Sequence, residues 1–84
     1  MSWSVYILKC ADNSLYTGIT TNVERRLYEH NSDNKKGARY TRARRPVNLI
    51  YQENYKNRSE ASKREHVLKS MNRREKIQLI ESGG

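Results

Sequence analysis

This chain is short of most residues that announce a disulfide framework, a thiolate metal centre or a membrane span. One cysteine, Cys10, among 84 residues excludes an internal disulfide and a zinc site built from thiolates. A lone thiol fits a reducing cytoplasm, our expected location. Its place in an apolar strand makes it a small buried or half-buried side chain rather than a nucleophile. There is no Gly-rich phosphate loop and no His-Glu-x-x-His helix. No apolar run approaches the roughly 18–20 residues a membrane span needs, and the first residues read straight into a strand, with no charged-then-apolar signal region. Hydrophobic residues are only 35% of the chain, and a chain this short buries only about 60–65% of the surface its unfolded form exposes. We expect one thin-cored domain over 1–84, with 81–84 a frayed tail and any active site on a shallow surface.

Acid is also scarce. Seventeen Lys and Arg face nine Asp and Glu, for a net charge of +8. Such a face attracts phosphates and releases their counterions, so the expected partner is nucleic acid. The bland alternative is a soluble basic protein without such a partner.

What is present is a compact pattern of strands and helices. Trp3 to Cys10 and Leu15 to Thr20 are rich in β-branched and aromatic residues and read as a hairpin. A three-residue loop, Asp12-Asn13-Ser14, with Asn13 left-handed, pairs Ala11 with Leu15, Cys10 with Tyr16 and Leu8 with Gly18. One face then carries Trp3, Val5, Ile7, Leu15, Thr17 and Ile19; the other carries Tyr6, Leu8, Tyr16, Gly18 and Thr20. A capping box, Thr21-Asn22-Val23-Glu24 with Thr21 as N-cap, starts a helix to about Asn31. On it Val23, Arg26, Leu27 and His30 share the inward side, and Glu24, Arg25, Tyr28 and Glu29 point elsewhere; inward, a charge is costly without a partner or a role. Asn31 to Pro46 reads as irregular and basic, since Gly37 and Pro46 break helices. Val47 to Tyr51, extending as far as Glu53, reads as a third strand. Asn57 caps a helix to about Ser70 with Ala61, Val67, Leu68 and Met71 as its apolar stripe. Asn72-Arg73-Arg74-Glu75 opens a last helix that packs through Ile77, Leu79 and Ile80. The fold class is α/β of the α+β type: a three-stranded antiparallel sheet flanked by helices, in the order β-β-α-β-α-α.

Ser4-Val5-Tyr6 and Tyr16-Thr17-Gly18, followed by Arg26 and His30 on the first helix and Glu65 in Arg64-Glu65-His66, resemble the two-part signature of the GIY-YIG nuclease family. The likeness runs from Tyr6 to about Lys69 and is to the small stand-alone bacterial branch. The first tripeptide has Ser4 where glycine is usual, the second has Thr17 for isoleucine, and Ile19 stands where the DNA-excision branch has lysine. The resemblance implies a metal-dependent endonuclease acting in DNA repair or recombination and leaving a 5′-phosphate and a 3′-hydroxyl. It gives Glu65 the role of ligand to one Mg²⁺ or Mn²⁺, which suits an ion that keeps several waters. Arg26 holds the scissile phosphate. Tyr6 or Tyr16 is the general base, a phenol near cations being expected to lose its proton more easily; Tyr6 is preferred, and Tyr16 positions phosphate and water. His30 relays protons or holds the phosphate, and Gly18 lets the substrate backbone approach the sheet.

Each residue also has a plainer reading. Glu65 can pair with Lys69 one turn on, His30 can be a helix C-terminal cap, and Glu60, the rival metal ligand, sits where a capping residue belongs. The basic stretch Lys35, Lys36, Arg39, Tyr40, Arg42, Arg44 and Arg45 reads as a phosphate-tracking surface or as a solvated loop. DNA is expected over RNA, on a monomer whose target choice comes from DNA structure or from a protein partner. Two other classes stay open: a nucleic-acid-binding module that keeps the fold without turnover, and a domain whose basic face meets an acidic protein.

Overall fold

β1 (Trp3–Lys9) lies at the centre of the sheet, with β2 (Leu15–Thr20) on one side and β3 (Asn48–Tyr55) on the other, all antiparallel. The computed structural model describes residues 2–83; of the tail, Gly84 lies outside them. The hairpin pairs Lys9 with Leu15, Leu8 with Tyr16 and Tyr6 with Gly18. That is two residues away from the register the sequence suggests, because Cys10 to Ser14 all belong to the turn: Cys10 N donates to Ser14 O and Asn13 N to Cys10 O, each at 2.9 Å. Asn13 adopts the expected left-handed conformation, with φ 68°. A two-residue shift preserves parity, so both expected faces survive.

The two faces carry different helices. Val5 and Ile7 pack with Ala61 and Leu68 of α3 (Arg58–Ser70), and Trp3, Ile19, Tyr51, Leu79 and Ile80 close around them. Leu79 and Ile80 belong to α4 (Arg73–Gly83), which continues through residues expected to fray. The opposite face, Tyr6 and Leu8 with Cys10 and Val47, packs against Leu27 of α1 (Val23–Ser32). Cys10 is buried, as an apolar thiol should be.

Local chemistry sets the helix ends. Asn22, not Thr21, caps α1: its Oδ1 accepts from Arg25 N at 3.0 Å, while the hydroxyl of Thr20 takes Asn22 N. Asn57 caps α3 as expected. The reciprocal capping box forms at α4, where Asn72 and Glu75 exchange two 2.9 Å bonds. Val67 is 45% exposed and leaves the expected stripe. Ala61 and Leu68, seven residues apart, fall within about 20° of each other on the helix, and Val67 lies about 100° away.

The basic stretch is not wholly irregular. One helical turn, α2 (Arg39–Arg42), fits between Gly37 and Pro46, with Ala38 O accepting from Thr41 N and Arg42 N. The order is therefore β-β-α-α-β-α-α. α3 is held to β3 by Glu53, whose carboxylate accepts from Arg64 Nε at 2.8 Å and Nη2 at 3.0 Å and from the hydroxyls of Tyr51 and Tyr55. Burial works to raise the Glu53 pKa, but those bonds pull it down to about 2. No helix among the described residues is long and apolar enough to cross a membrane.

Candidate active site

Tyr6 is 2% exposed, a phenol in the middle of the central strand. Its Oη lies 2.8 Å from Nε2 of His30, which α1 carries inward with no exposed surface. On the other side of the imidazole, Nδ1 is 2.9 Å from Thr41 Oγ1, and Thr41 Oγ1 is 2.9 Å from Ala38 O. A carbonyl can only accept, so the single Thr41 proton goes to Ala38 O, and Thr41 accepts from Nδ1–H. Ala38 N is 3.4 Å from Nδ1, beyond ordinary hydrogen-bond length. Nε2 then bears the lone pair and accepts from the Tyr6 hydroxyl. Thr41 comes from α2, so the unexpected turn is what fixes the tautomer.

The charges around this pair decide what it can do. Burial, reinforced by the charge of Arg26 and then of Arg45, pulls the His30 pKa down to about 4 against the pull of Glu29. The ring is neutral near pH 7, with a lone pair that accepts a hydrogen bond but takes up a proton less readily than an exposed imidazole. Burial also pushes the Tyr6 phenol well above its ordinary pKa; the neighbouring Tyr16 adds to this, Arg26 offsets it in part, and Glu65 raises it further. The sequence-based expectation that cations would ease Tyr6 deprotonation is thus reversed: desolvation of the phenolate outweighs them. Burial disfavours a resident phenolate, and the hydrogen bond gives Tyr6 a route to act as a base, passing its own proton to His30 as it takes another.

Arg26 stands beside the phenol. Burial works against its charge, but Glu29 and Tyr6 raise its pKa above the ordinary arginine value. Its Nη1 donates to Glu29 Oε1 at 3.1 Å and to Lys36 O at 2.5 Å. Tyr16 packs edge-on against His30 at 5.1 Å and stacks on Tyr40 at 5.8 Å. Glu65, on α3, acts on the phenol through its charge, and its one ion pair among the described residues is with Lys69 Nζ at 3.4 Å. The plainer ion-pair reading of Glu65 is therefore present as well.

Gly18 and the basic stretch take different positions from those expected. A Cβ at Gly18 would stand 2.5 Å from Tyr6 Oη and 2.7 Å from Cζ; the space above Gly18 holds the tyrosine. Arg44 pairs with Asp12 at 3.0 Å and covers the Tyr40 ring at 4.0 Å. Arg45 donates to His30 O, Asp33 O and Asn34 Oδ1, and Arg42 to Asn34 O. Only Arg45 backs onto His30; Arg42 ties the loop to Asn34, and Arg44 ties it to the β1–β2 turn. Lys35, Lys36 and Arg39 form no side-chain ion pair or hydrogen bond among the described residues. Thr41 escaped sequence reading, and Glu29, expected to point away from the inward side, instead bonds Arg26. The one available signal was that Thr41 is an uncharged hydroxyl inside a run of cations.

Three or more His, Cys, Asp or Glu side chains do not converge anywhere among the described residues. The donor set at the site is one half-buried carboxylate, Glu65. That fits a hard cation that takes one protein oxygen and fills its remaining positions with water and substrate phosphate; a thiolate- or imidazole-rich metal centre does not fit.

The family model of the GIY-YIG catalytic domain matches residues 2–78. A UPF0213 protein of Desulfotalea psychrophila is 57% identical over 81 residues, which cover 96% of this chain and 73% of that protein. The solution NMR structure of a UPF0213 protein from Bacillus halodurans aligns with a TM-score of 0.63 at 44% identity, covering 100% of this chain and 88% of the other. That of a protein from E. faecalis gives 0.67 at 46%, covering 98% and 85%. Likeness of this extent in both sequence and fold places the chain: it belongs to the GIY-YIG catalytic domain family.

Proposed function

We propose that this protein is a metal-dependent endonuclease that hydrolyses phosphodiester bonds in DNA, acting as a cytoplasmic monomer in repair or recombination. The carrying observation is the Tyr6–His30 hydrogen bond of 2.8 Å, with the far side of the imidazole fixed on Thr41. A tyrosine with only a packing role would not need a buried, neutral, tautomer-fixed imidazole on its hydroxyl.

In this reading Arg26 holds the scissile phosphate and offsets the charge that grows on its oxygens. A water attacks phosphorus and loses a proton to Tyr6 Oη, while Tyr6 passes its own proton to His30 Nε2. The bond from phosphorus to the 3′ oxygen breaks. That oxygen takes a proton from solvent, leaving a 3′-hydroxyl and a 5′-phosphate. Tyr16 closes the edge of the imidazole and positions the attacking water. A Mg²⁺ or Mn²⁺ on Glu65 would supply Lewis-acid stabilisation of the phosphoryl and leaving oxygens. The proton relay, the phosphate clamp and the single carboxylate together support hydrolysis over simple binding. Lys35, Lys36 and Arg39 extend the contact along the backbone, beyond the reacting phosphate.

A second reading has its own support in the Glu65–Lys69 ion pair: a nucleic-acid-binding module in which the carboxylate is already satisfied. One assay separates them. Labelled flapped, branched, single-stranded and duplex DNAs are incubated with Mg²⁺, Mn²⁺ or EDTA, beside Tyr6→Phe and Glu65→Gln. Metal-dependent cutting that both variants lose supports the nuclease. Salt-sensitive binding without cutting, the same in all three proteins, supports the module.

A further inference from the structure

A polar cleft of about 510 Å³ opens on the same sheet face as Tyr6, within the size range of ligand sites. Its floor is Ser4, Gln52 and Asn54, and Asn22 and Glu24 from the first turn of α1 form the far wall. Gln52 is the direct cross-strand partner of Tyr6, and Asn54 that of Ser4, so these side chains stand next to the reacting phenol.

A wet edge strand carries polar side chains in any case, and exposure alone would mean nothing here. What marks this group is how its atoms are used. Asn54 Oδ1 accepts from Ser4 Oγ at 2.8 Å and from Gln52 Nε2 at 3.0 Å. Gln52 Nε2 also lies 3.3 Å from Ser4 Oγ, and Ser4 itself is only 8% exposed. The mutual bonds orient both amides and leave Asn54 Nδ2 as a donor and Gln52 Oε1 as an acceptor, each without a protein partner among the described residues. Glu24 adds a carboxylate with no ion pair among those residues. A cleft walled by a carboxylate repels phosphate, so the part of a nucleic acid it would take is an uncharged one. A nucleobase edge is the part of a nucleic acid that offers a donor beside an acceptor.

We propose that Gln52, Asn54 and Glu24 form a base-reading subsite for the nucleotide next to the scissile phosphate, resting on the nuclease reading above. Gln52 Oε1 and the Glu24 carboxylate accept from an exocyclic amine, and Asn54 Nδ2 donates to the adjacent ring nitrogen or carbonyl. Adenine, cytosine and guanine carry such an amine. Thymine does not: its single N3–H can satisfy only one of the two acceptors and leaves the other facing a carbonyl oxygen.

The test selects tight binders from short randomised single-stranded DNA in EDTA and sequences them, for the intact protein and for Gln52→Ala, Asn54→Ala and Ser4→Ala. Gln52→Met keeps the stem without polar atoms, and thermal melts check that each variant folds. The expected result is depletion of thymine at one position by roughly fivefold or more, the discrimination of one good base contact. That bias disappears in the Gln52 and Asn54 variants and weakens in Ser4→Ala. Binding without base preference, or a preference unchanged in folded variants, overturns the subsite. The same library is then offered with Mg²⁺. Cutting without base preference removes the subsite and leaves the nuclease; base selection without cutting removes the nuclease and leaves the subsite. A protein that binds none of the library overturns both.

Discussion

The phenol of Tyr6 lies across Gly18, its partner on the neighbouring strand, so closely that a methyl group at residue 18 would stand 2.5 Å from the phenol oxygen. The end of a tyrosine can normally swing aside. Here it is buried and tied to His30. Gly18→Ala should therefore destabilise the fold by about 1–3 kcal/mol, the usual cost of overpacking, and lengthen the Tyr6–His30 bond. Urea unfolding measures the first effect. Loss of cleavage with DNA binding retained reads the second. A variant as stable and active as the parent would mean Tyr6 has room to move.

The acid limb of the stability curve should belong to His30 before any carboxylate. Burial, with the charge of Arg26 behind it, holds the folded-state His30 pKa at about 4, below the ordinary 6.5. The folded state therefore resists protonation. The stability this contributes is complete above pH 6.5 and is lost as the pH falls through about 4. Glu53, also depressed, contributes in full above its ordinary 4.5 and loses that contribution only toward pH 2. Between pH 6.5 and 4.5 the fall should come from His30, and His30→Gln should flatten it. Thermal midpoints measured across that range decide. A slope unchanged in the variant would show that another group titrates there.

Sequence reading recovered the faces of this sheet better than its partners. Loops of three and of five residues are both odd, so Tyr6 and Tyr16 fall on one face in either register. Only the true register sets Gly18 opposite Tyr6 instead of Leu8, so the space its missing side chain leaves is taken by the phenol. Arg26 and His30 were readable because helical period placed them inward with Val23 and Leu27. Thr41 was not, since its role depends on an eleven-residue return of the chain that no periodicity encodes. The arginines show a related limit: composition counts charges, but only the fold reveals that Arg42, Arg44 and Arg45 also bond Asn34 O, Asp12 and His30 O. The direction of the Tyr6 pKa failed because Arg26 is visible in sequence and burial is not.

Thr41 should be a positioning residue with a spectroscopic signature. Thr41→Val keeps the shape, removes the acceptor for Nδ1–H, and frees the imidazole to place its proton on Nε2, against Tyr6. Cleavage should fall by about 100-fold, the lower end of what acid–base catalysis contributes. Nitrogen NMR of His30 should shift from the Nδ1–H toward the Nε2–H tautomer, and Thr41→Ser should restore both. A cleavage loss without a tautomer change would mean Thr41 only packs.

Thr17 carries the one buried side-chain polar atom without a hydrogen-bond partner among the described residues. It faces the apolar layer beneath α3, opposite Ile7, at 3% exposure. Thr17→Val has the same shape without the stranded hydroxyl, so it should stabilise the fold by about 1 kcal/mol, or roughly 4–8 °C in melting temperature for a domain of this size. Calorimetry on the two proteins is enough. A lower melting temperature would mean the hydroxyl has a partner in solution.

Lys69 offers a way to test Glu65 without touching the carboxylate. The two lie 3.4 Å apart, with Lys69 more than half exposed, so the pair is weak, and about 0.2–1 kcal/mol is typical. A cation settling on Glu65 meets the ammonium as a competing positive charge on the same carboxylate. Lys69→Met should therefore tighten Mn²⁺ binding severalfold at most, and Glu65→Gln should abolish it. Paramagnetic broadening of amides around Glu65 reads both, independently of turnover, and EDTA should reverse the broadening and stop cleavage together. Equal Mn²⁺ affinity in the Lys69 variant and the parent would show that the ion does not compete for Glu65. The carboxylate would then be what its ion pair suggests, a surface charge on α3, and the module reading would gain over the nuclease.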